Sequence, residues 1–253
     1  MSTLEAQHGL RLITPAIFAV ADPAGKKMSA VRRIFGFLPE AELYRLTQTA
    51  DIRSFRQKQP IFHCGDPGVS LIAVLEGFVK LSTVNSDGRE IVLDVVGPGS
   101  HIGELAVMCH WVHDTDATAL SQCRVLSIDT RQFRQSIERN PACLWDIVRM
   151  VGARLEKTTE QLTDALALSA RAHLAKAILR LARLRQENAH DTTGPRLRQS
   201  ELAAMTGLSR ENVNRLLGGW SEAGWIRIVD GLIRLVDAAP LCQLIGEDAC
   251  QME

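Results

Sequence analysis

Two arginines and a glutamate lie close together near the carboxyl end of the chain, at Arg210, Glu211 and Arg215. An arginine can donate two parallel hydrogen bonds to O6 and N7 of a guanine, and a glutamate can accept one from N4 of a cytosine. On a helix these residues and Asn214 share one side, and the apolar residues expected to be buried lie on the other: Val213, Leu216 and Trp220. Glu211 and Arg215 are also spaced to pair with each other. The stretch therefore predicts either a solvated helix with an internal ion pair or a helix that presents polar side chains to DNA.

The segments around this helix favour the second interpretation. Ser200 is predicted to cap a short helix that ends at the turn Thr206-Gly207-Leu208, and Ser209 to cap the next helix. Two short helices joined by a glycine-containing turn form a helix-turn-helix. The run WIRIVDGLIRLV then predicts a two-stranded hairpin, the wing of a winged helix, with its turn at residues 230–231. The candidate DNA-contacting residues are Gln199, Ser209, Arg210, Glu211, Asn214 and Arg215, with the 230–231 hairpin on the DNA backbone.

A small β structure is predicted upstream, between Ile52 and Ile128. Short β-branched and apolar runs alternate there with turn signals, of which the strongest is Asp87-Gly88 between two apolar runs. Closely spaced strands with such turns indicate a small barrel or β-roll. Residues 1 to about 40 contain turn-forming residues such as Pro23 and are predicted to be irregular, and a short helix is predicted around LPEAELYRLTQTAD, with Pro39 near its first turn.

A long helix is predicted after the β region. Apolar or small residues recur at alternating steps of four and three from Leu144 to Ala165, which is a heptad pattern. Charged residues flank this narrow seam. Such a helix suits pairing with a second copy of itself, so the sequence predicts a homodimer.

Composition limits the classes of function. The chain has 253 residues, 46% of them hydrophobic, and a formal net charge of +0, so the whole molecule has no net electrostatic attraction to nucleic acid or membranes. Residues 171–237, however, contain 11 Lys and Arg against 7 Asp and Glu, which suits a DNA-binding end attached to another domain. No apolar run reaches the roughly 20 residues of a membrane helix. The cysteines form no C-x-x-C pair, which argues against a zinc site.

These patterns predict an α+β chain divided into five segments. They are an N-terminal arm at 1–35, a β-roll sensor domain at 36–136, a dimerisation helix at 137–168, a winged helix-turn-helix domain at 169–240 and a tail at 241–253.

Four stretches of the chain resemble the cyclic-AMP receptor protein/Fnr (Crp/Fnr) family of bacterial transcription regulators. They are FHCGDPGVSLIAVLEGFVKL, DGREIVLDVVGPGSHIGELA, SQCRVLSID and LAAMTGLSRENVNRLL. The resemblance implies a homodimer with an N-terminal jelly-roll-like β-roll of the cyclic-nucleotide-binding type, a long dimer helix and a C-terminal winged helix-turn-helix. The family's base-reading Arg-Glu-x-x-x-Arg set falls on Arg210, Glu211 and Arg215, and the implied half-site resembles TGTGA or TTGAT. The resemblance implies double-stranded DNA, a second copy of the chain and RNA polymerase as partners, and a cytoplasmic protein that is neither an enzyme nor bound to a membrane.

One departure from the family pattern lies in the second helix of the helix-turn-helix. Gly218 and Gly219 stand where the family commonly has Lys or Arg and another helix former. A glycine in a helix interior costs about 1 kcal/mol relative to alanine. We therefore expect either a helix that ends early or weaker DNA binding.

The resemblance also implies an effector site in the β-roll. Nucleotide-binding members have a Gly-Glu-Leu, whose glutamate takes the ribose hydroxyl, followed by an arginine that neutralises the cyclic phosphate. Gly103-Glu104-Leu105 is present, but the positions of the arginine and the residue after it read His113-Asp114. An anion site without its bidentate donor binds phosphate poorly, which argues against a cyclic nucleotide as the effector. The residues implied as effector-binding are Gly103, Glu104, Leu105, His113, Asp114, Arg154, Thr158 and Thr159.

Other sensing chemistries stay open, including no effector at all. A haem or metal could bind His101, Cys109, His110 or His113, and Cys109 could sense redox state. A cupin-like metal-dependent enzyme is the alternative of another class, since GSHIGE places His101 before Glu104. The second histidine customary in a cupin is absent, and a cupin leaves the helix-turn-helix without a role. The sequence predicts no cofactor with certainty.

Overall fold

The computed structural model describes residues 23–187, 198–229 and 232–246, which form a β-roll, a long helix and a winged helix-turn-helix. The helices are α1 (Pro23–Phe35), α2 (Glu40–Thr49), α3 (Glu104–Cys109), α4 (Thr130–Arg139), α5 (Leu144–Ala167), α6 (Ala170–Glu187), α7 (Gln199–Thr206), α8 (Arg210–Glu222) and α9 (Ala239–Ile245). The strands are β1 (Asp51–Phe55), β2 (Pro60–Phe62), β3 (Ser70–Glu76), β4 (Val79–Val84), β5 (Glu90–Val96), β6 (His101–Ile102), β7 (Asp116–Ala119), β8 (Cys123–Asp129), β9 (Ile226–Val229) and β10 (Leu232–Leu235). None of the helices in these ranges is both long and apolar enough to cross a bilayer.

Two four-stranded antiparallel sheets make up the β-roll. Their strand orders are β1-β8-β3-β6 and β2-β7-β4-β5. Because β7 and β8 follow each other in the chain but lie in different sheets, the chain crosses between the sheets, as in a jelly roll. Buried residues of both sheets, such as Phe62, Leu81 and Val125, form the apolar core between them. The predicted α+β class and β-roll are confirmed.

The strongest turn signal of the sequence forms the predicted hairpin. β4 and β5 pair in antiparallel register from Val84 and Glu90 onwards. Asn85 donates its backbone N–H to the carbonyl of Arg89 at 3.0 Å, and Gly88 takes a φ of +74°. A positive φ at this position favours glycine because it has no Cβ.

A helix replaces the irregular structure expected before the β-roll. In α1, Val31 and Phe35 are 0% and 2% exposed, and they pack in one apolar cluster with Leu46 of α2 and Phe133 of α4. This burial stabilises the helix, and it depends on residues far away in the chain. Residues 1–22 of the predicted arm lie outside the described residues.

The long helix begins at Leu144 rather than at residue 137. α4 ends at Arg139, and Pro141 opens a short 3₁₀ turn before α5. Proline has no N–H to donate and disfavours the helical conformation in the residue before it. Asn140 accordingly takes φ −133° and ψ 70°, which separates α4 from α5 within the range where we expected one helix to begin.

The predicted tail contributes to the DNA-binding domain. α9 spans Ala239–Ile245, and its Leu241 is 0% exposed within the apolar cluster of that domain. Asp237 accepts a hydrogen bond from the backbone N–H of Ala239 at 3.0 Å and so stabilises the start of the helix. The domain therefore extends past residue 240; residues 247–253 lie outside the described ranges.

The winged helix-turn-helix packs against the β-roll. α6 runs back along α5, so that Lys176 lies 2.8 Å from Asp164. A single apolar cluster joins Phe78 and Val95 of the β-roll to Ile178 of α6 and Leu202 of α7. The two domains thus share buried apolar surface, which is a feature of the tertiary structure that no local sequence pattern signalled.

Candidate functional site

The turn between α7 and α8 is set by a glycine and a serine. Gly207 ends α7 with a φ of +68°, in the left-handed region that favours glycine at this position. Ser209 Oγ accepts a hydrogen bond from the backbone N–H of Asn212 at 3.2 Å and caps α8. Both roles agree with the expectation from the sequence.

The start of α7 differs from the expectation. The helix begins at Gln199, so Ser200 lies inside it and is not its N-cap. The carboxylate of Glu201 accepts the backbone N–H of Arg198 at 2.7 Å, and this bond satisfies a donor at the helix end. Gln199 is half-buried in the first turn of α7.

The two faces of α8 separate polar from apolar residues. Arg210, Glu211, Asn214 and Arg215 are all exposed. On the opposite face Val213, Leu217 and Trp220 are 0%, 1% and 2% exposed. Leu216, which we expected to be buried, is only half-buried, because the core of the domain covers the side of α8 that carries Leu217 instead.

Arg215 does not form the ion pair with Glu211 that the sequence predicted on α8. Its guanidinium donates to Asn212 Oδ1 at 3.2 Å. The bond is exposed and couples residues three apart, so it orients Arg215 without burying it. Glu211 and Arg215 therefore both present their side chains to solvent at the amino end of α8.

The two glycines of α8 do not end the helix. α8 runs unbroken from Arg210 to Glu222, through Gly218 and Gly219. A Cβ built on either glycine would meet no atom within 4 Å, so no close contact requires a glycine there. The expectation of an early end was wrong, because burial of Leu217 and Trp220 on either side of the pair holds the helix together.

The wing forms as expected. β9 and β10 pair in antiparallel register, with Arg227 directly opposite Arg234. Both arginines are exposed. Their like charges make the outer face of this hairpin basic, which suits a DNA backbone. The turn residues 230–231, which we expected to touch DNA, lie outside the described residues.

A cavity of about 740 Å³ lies between the β-roll, α5 and α6. Most of the residues implied as effector-binding line it, namely Gly103, Glu104, Leu105, His113, Asp114, Arg154 and Thr158. Thr159 is exposed and not part of this lining. The fold therefore brings together residues that lie far apart in the sequence.

His113 occupies the part of this cavity next to Gly103. Its ring stacks on Phe62 with centroids 3.7 Å apart and planes inclined by 9°. A Cβ added to Gly103 would lie 2.7 Å from the ring, so the glycine, at φ +78°, makes room for the histidine. Burial lowers the pKa of His113 against the opposing effect of Asp66, Asp114 and Glu104. The imidazole is therefore neutral at pH 7 and provides no fixed positive charge for an anion.

Comparison with known proteins finds a matching family for each of the two domains. Residues 52–140 match the family model of the cyclic nucleotide-binding domain, and residues 172–244 match that of the Crp-like helix-turn-helix domain. The Cyclic AMP receptor protein of Thermus thermophilus is 30% identical over 191 residues, which cover 75% of this chain and 85% of that protein. This chain belongs to the Crp/Fnr family of bacterial transcription regulators.

Further relatives agree with this family. The CRP-like cAMP-activated global transcriptional regulator of Mycobacterium tuberculosis is 29% identical over 212 residues, covering 83% of this chain and 95% of that protein. A solved CRP/FNR-family regulator from Thermus thermophilus is 26% identical, with a TM-score of 0.63, and covers 77% of this chain and 98% of that one. FixK2 from Bradyrhizobium japonicum, at 19% identity, a TM-score of 0.68 and coverage of 78% and 98%, shares the fold. This Crp/Fnr protein is a DNA-binding transcription regulator.

The rest of the effector cassette of this Crp/Fnr regulator is held by contacts within the chain. Glu104, 5% exposed, lies 3.9 Å from Arg154 of α5. Thr158 and Thr159 each donate to a carbonyl of their own helix at 2.9 Å, as exposed threonines in helices commonly do. The residues implied as effector-binding thus lie mostly around one cavity. Where the nucleotide-binding relatives are expected to have an arginine for the phosphate, this chain has His113.

The residues considered for haem or metal do not converge. Within the described ranges, no group of three or more His, Cys, Asp or Glu side chains is arranged to hold a metal ion. His110 lies 3.0 Å from Arg134, while His113 stacks on Phe62. Cys109 is exposed. The cupin alternative therefore gains no support from these residues.

A residue that the sequence analysis missed is Asp94 of β5. It lines the cavity and is only 3% exposed, although it carries a charge. Its carboxylate pairs with Arg180 of α6 and lies 2.8 Å from Lys157 of α5. A lone aspartate in an apolar strand was the available signal, since such a residue requires buried partners.

Proposed function

We propose that this regulator binds DNA as a homodimer through α5. Its apolar residues on one side are exposed in the single chain: Val148 56%, Leu155 66% and Leu162 59%. The adjoining side of α5 faces the β-roll and α6, where Gln161 donates to the carbonyl of Leu93 at 3.0 Å. A long row of exposed leucine and valine is costly in water and is covered when two copies pair along the heptad seam.

The dimer reads a palindromic site with the amino ends of its two α8 helices. The observation that carries this proposal is the exposed polar face of α8 that consists of Arg210, Glu211, Asn214 and Arg215. Its buried opposite face and the cap at Ser209 fix the direction in which these side chains project. Arg210 and Arg215 suit guanine, and Glu211 suits cytosine. The phosphates are held by Ser209, Gln199 and the basic wing. RNA polymerase is the partner on which the bound regulator acts in the cytoplasm.

Selection of binding sites from random duplex DNA tests this proposal. We expect the purified protein to enrich an inverted repeat whose half-sites are centred about 10 base pairs apart, one helical turn, and contain G and C at the contacted positions. The inverted symmetry follows from a two-fold axis through the α5 seam, and the spacing follows from the helical repeat of DNA. Enrichment of single, unrepeated sites, or of no sequence at all, would contradict a symmetric reading dimer.

The effector cavity does not bind cyclic nucleotides in the manner of nucleotide-binding relatives. The position of the phosphate arginine holds a neutral, stacked histidine, and Asp114 beside it adds a negative charge to the cavity. Arg154 and Lys157, which line the cavity, lie next to the buried carboxylates of Glu104 and Asp94. A phosphate that enters finds no arginine at the position of His113, and it would have to displace these carboxylates to reach Arg154 or Arg180.

Calorimetry with cyclic AMP and cyclic GMP tests this part. We expect dissociation constants weaker than about 100 µM for the wild-type protein. The double variant His113→Arg with Asp114→Ser, whose folding is checked by thermal unfolding, should bind at least about tenfold more tightly, since it gains a fixed cation and loses a carboxylate. Micromolar binding by the wild-type chain would overturn the proposal.

A further inference from the structure

A buried ion cluster joins the β-roll to the helices that carry the DNA-binding domain. Asp94 on β5 pairs with Arg180 of α6, which leads into the helix-turn-helix, and lies 2.8 Å from Lys157 and 3.9 Å from Arg154 of α5. The aspartate side chain is 5% exposed, and those of Arg180, Arg154 and Lys157 are 28%, 34% and 38% exposed. Asp94 thus lies against three positive charges of α5 and α6, of which Arg154 also lies 3.9 Å from Glu104.

An irregularity in β5 aims Asp94 at these helices. Leu81 of β4 pairs with Asp94, but the next residue, Ser82, pairs with Val92, so Leu93 is an extra residue in β5. A β-bulge of this kind bends the strand and redirects a side chain. The carbonyl of Leu93 then accepts a hydrogen bond from Gln161 of α5 at 3.0 Å. The bulge therefore ties β5 to α5 through the backbone and to α6 through Asp94.

Apolar contacts next to the ion cluster hold α7 against the same strand. α7 is the first helix of the helix-turn-helix and contacts β5 directly. Val92 and Val95 of β5 belong to one buried cluster with Leu202 of α7. In DNA complexes of this motif the first helix crosses the DNA backbone. These contacts oppose any reorientation of α7 away from β5.

The ion cluster also lines the effector cavity. Asp94, Arg154, Lys157 and Arg180 border it, as does Met205 of α7. An occupant of the cavity therefore meets the charges that hold the two domains together, and any ligand with an acidic group competes with Asp94 for the same cations.

We propose that Asp94 and Arg180 form a latch that keeps the DNA-binding domain in a closed arrangement of low DNA affinity. Breaking the pair leaves a charge at the domain interface without its partner, which favours separation of α6 and α7 from β5. The latch is a regulatory device for the DNA binding proposed above, and it rests on that function. An effector with an acidic group acts by taking over Arg180.

Amide hydrogen exchange and DNA affinity of the variants Asp94→Asn and Arg180→Gln test the latch. In the effector-free protein we expect each variant to raise exchange in β5 and α7 at least about tenfold and to raise affinity for the selected palindrome by about tenfold. The double variant should add little to either single change, because both remove the same pair. Arg180 is partly exposed, so Arg180→Gln provides a test that does not require a change in the core.

Glu90→Gln is the matched control. Glu90 lies on the same strand and pairs with Lys80 at 2.6 Å, inside the β-roll, so its loss removes an ion pair without touching the domain interface. It should leave α7 exchange and DNA affinity unchanged. Unchanged exchange in the latch variants would overturn the latch itself. Increased exchange with unchanged DNA affinity would overturn its inhibitory role. Because exchange is measured without DNA, failure of the latch and failure of the DNA-binding proposal are distinguishable.

Discussion

Replacing Arg210 with alanine is expected to weaken binding to the selected palindrome by about 1–3 kcal/mol, roughly 5- to 150-fold, and to leave affinity for random DNA nearly unchanged. Arg210 is the first residue of α8 and is exposed, so its loss creates no cavity in the domain. The free energy that is lost comes from two hydrogen bonds between the guanidinium and the edge of a guanine. Binding to random DNA does not depend on these bonds. Fluorescence anisotropy with the palindrome and with a scrambled duplex, at one fixed salt concentration, measures both affinities.

The control for this prediction is Arg33→Ala, because Arg33 is an exposed arginine of α1 in the sensor half of the chain. It removes the same charge and should change neither affinity. An Arg210→Ala protein that loses affinity equally for both duplexes would show that Arg210 contacts phosphate rather than a base.

Glutamate in place of Leu155 is expected to convert the dimer into monomers. Leu155 is 66% exposed in the single chain, so the change leaves the fold of one copy intact, yet in the dimer it lies on the seam. Each copy loses the burial of a leucine, about 1.5–3 kcal/mol, and two carboxylates meet across the two-fold axis. Sedimentation velocity at micromolar concentration should show a single species of about half the wild-type mass.

The same variant should lose more than about 100-fold in affinity for a two-half-site duplex, because two tethered modules bind far more tightly than one. Glu156→Ala, at the neighbouring exposed position of α5, is the matched control and should remain dimeric. A Leu155→Glu protein that sediments as a dimer would place the dimer interface elsewhere.

Local signals of the sequence predicted the parts that would read DNA. The helix-turn-helix depends on a serine cap at Ser209 and a glycine at Gly207, and both act through bonds within a few residues. The hairpin at Gly88 and the heptad pattern of α5 are equally local, since each depends on the order of neighbouring residues. Such features are readable without knowledge of the fold.

Errors arose where distant residues decide the outcome. The region of α1 was expected to be irregular because it contains turn-forming residues such as Pro23. The helix forms because it packs against Leu46 and Phe133, which come from other helices. Leu217 rather than Leu216 is buried, and α8 continues through two glycines, because the domain core covers one particular stripe of the helix. The wrong start of α5 has a different cause, because no distant residue decides it. Pro141 is visible in the sequence, and its effect on the conformation of Asn140 is local.

The sequence by itself determined the family, the β-roll, the helix-turn-helix and the polar face of α8, because hydrophobic period, caps and turn residues act over short distances along the chain. Only the tertiary structure decided that His113 fills the space beside Gly103, and that Asp94 meets Arg180 across two domains. Both depend on which elements lie side by side. A buried charge or a stacked ring acquires its partner only when the chain has packed, and the identity of that partner cannot be read from spacing.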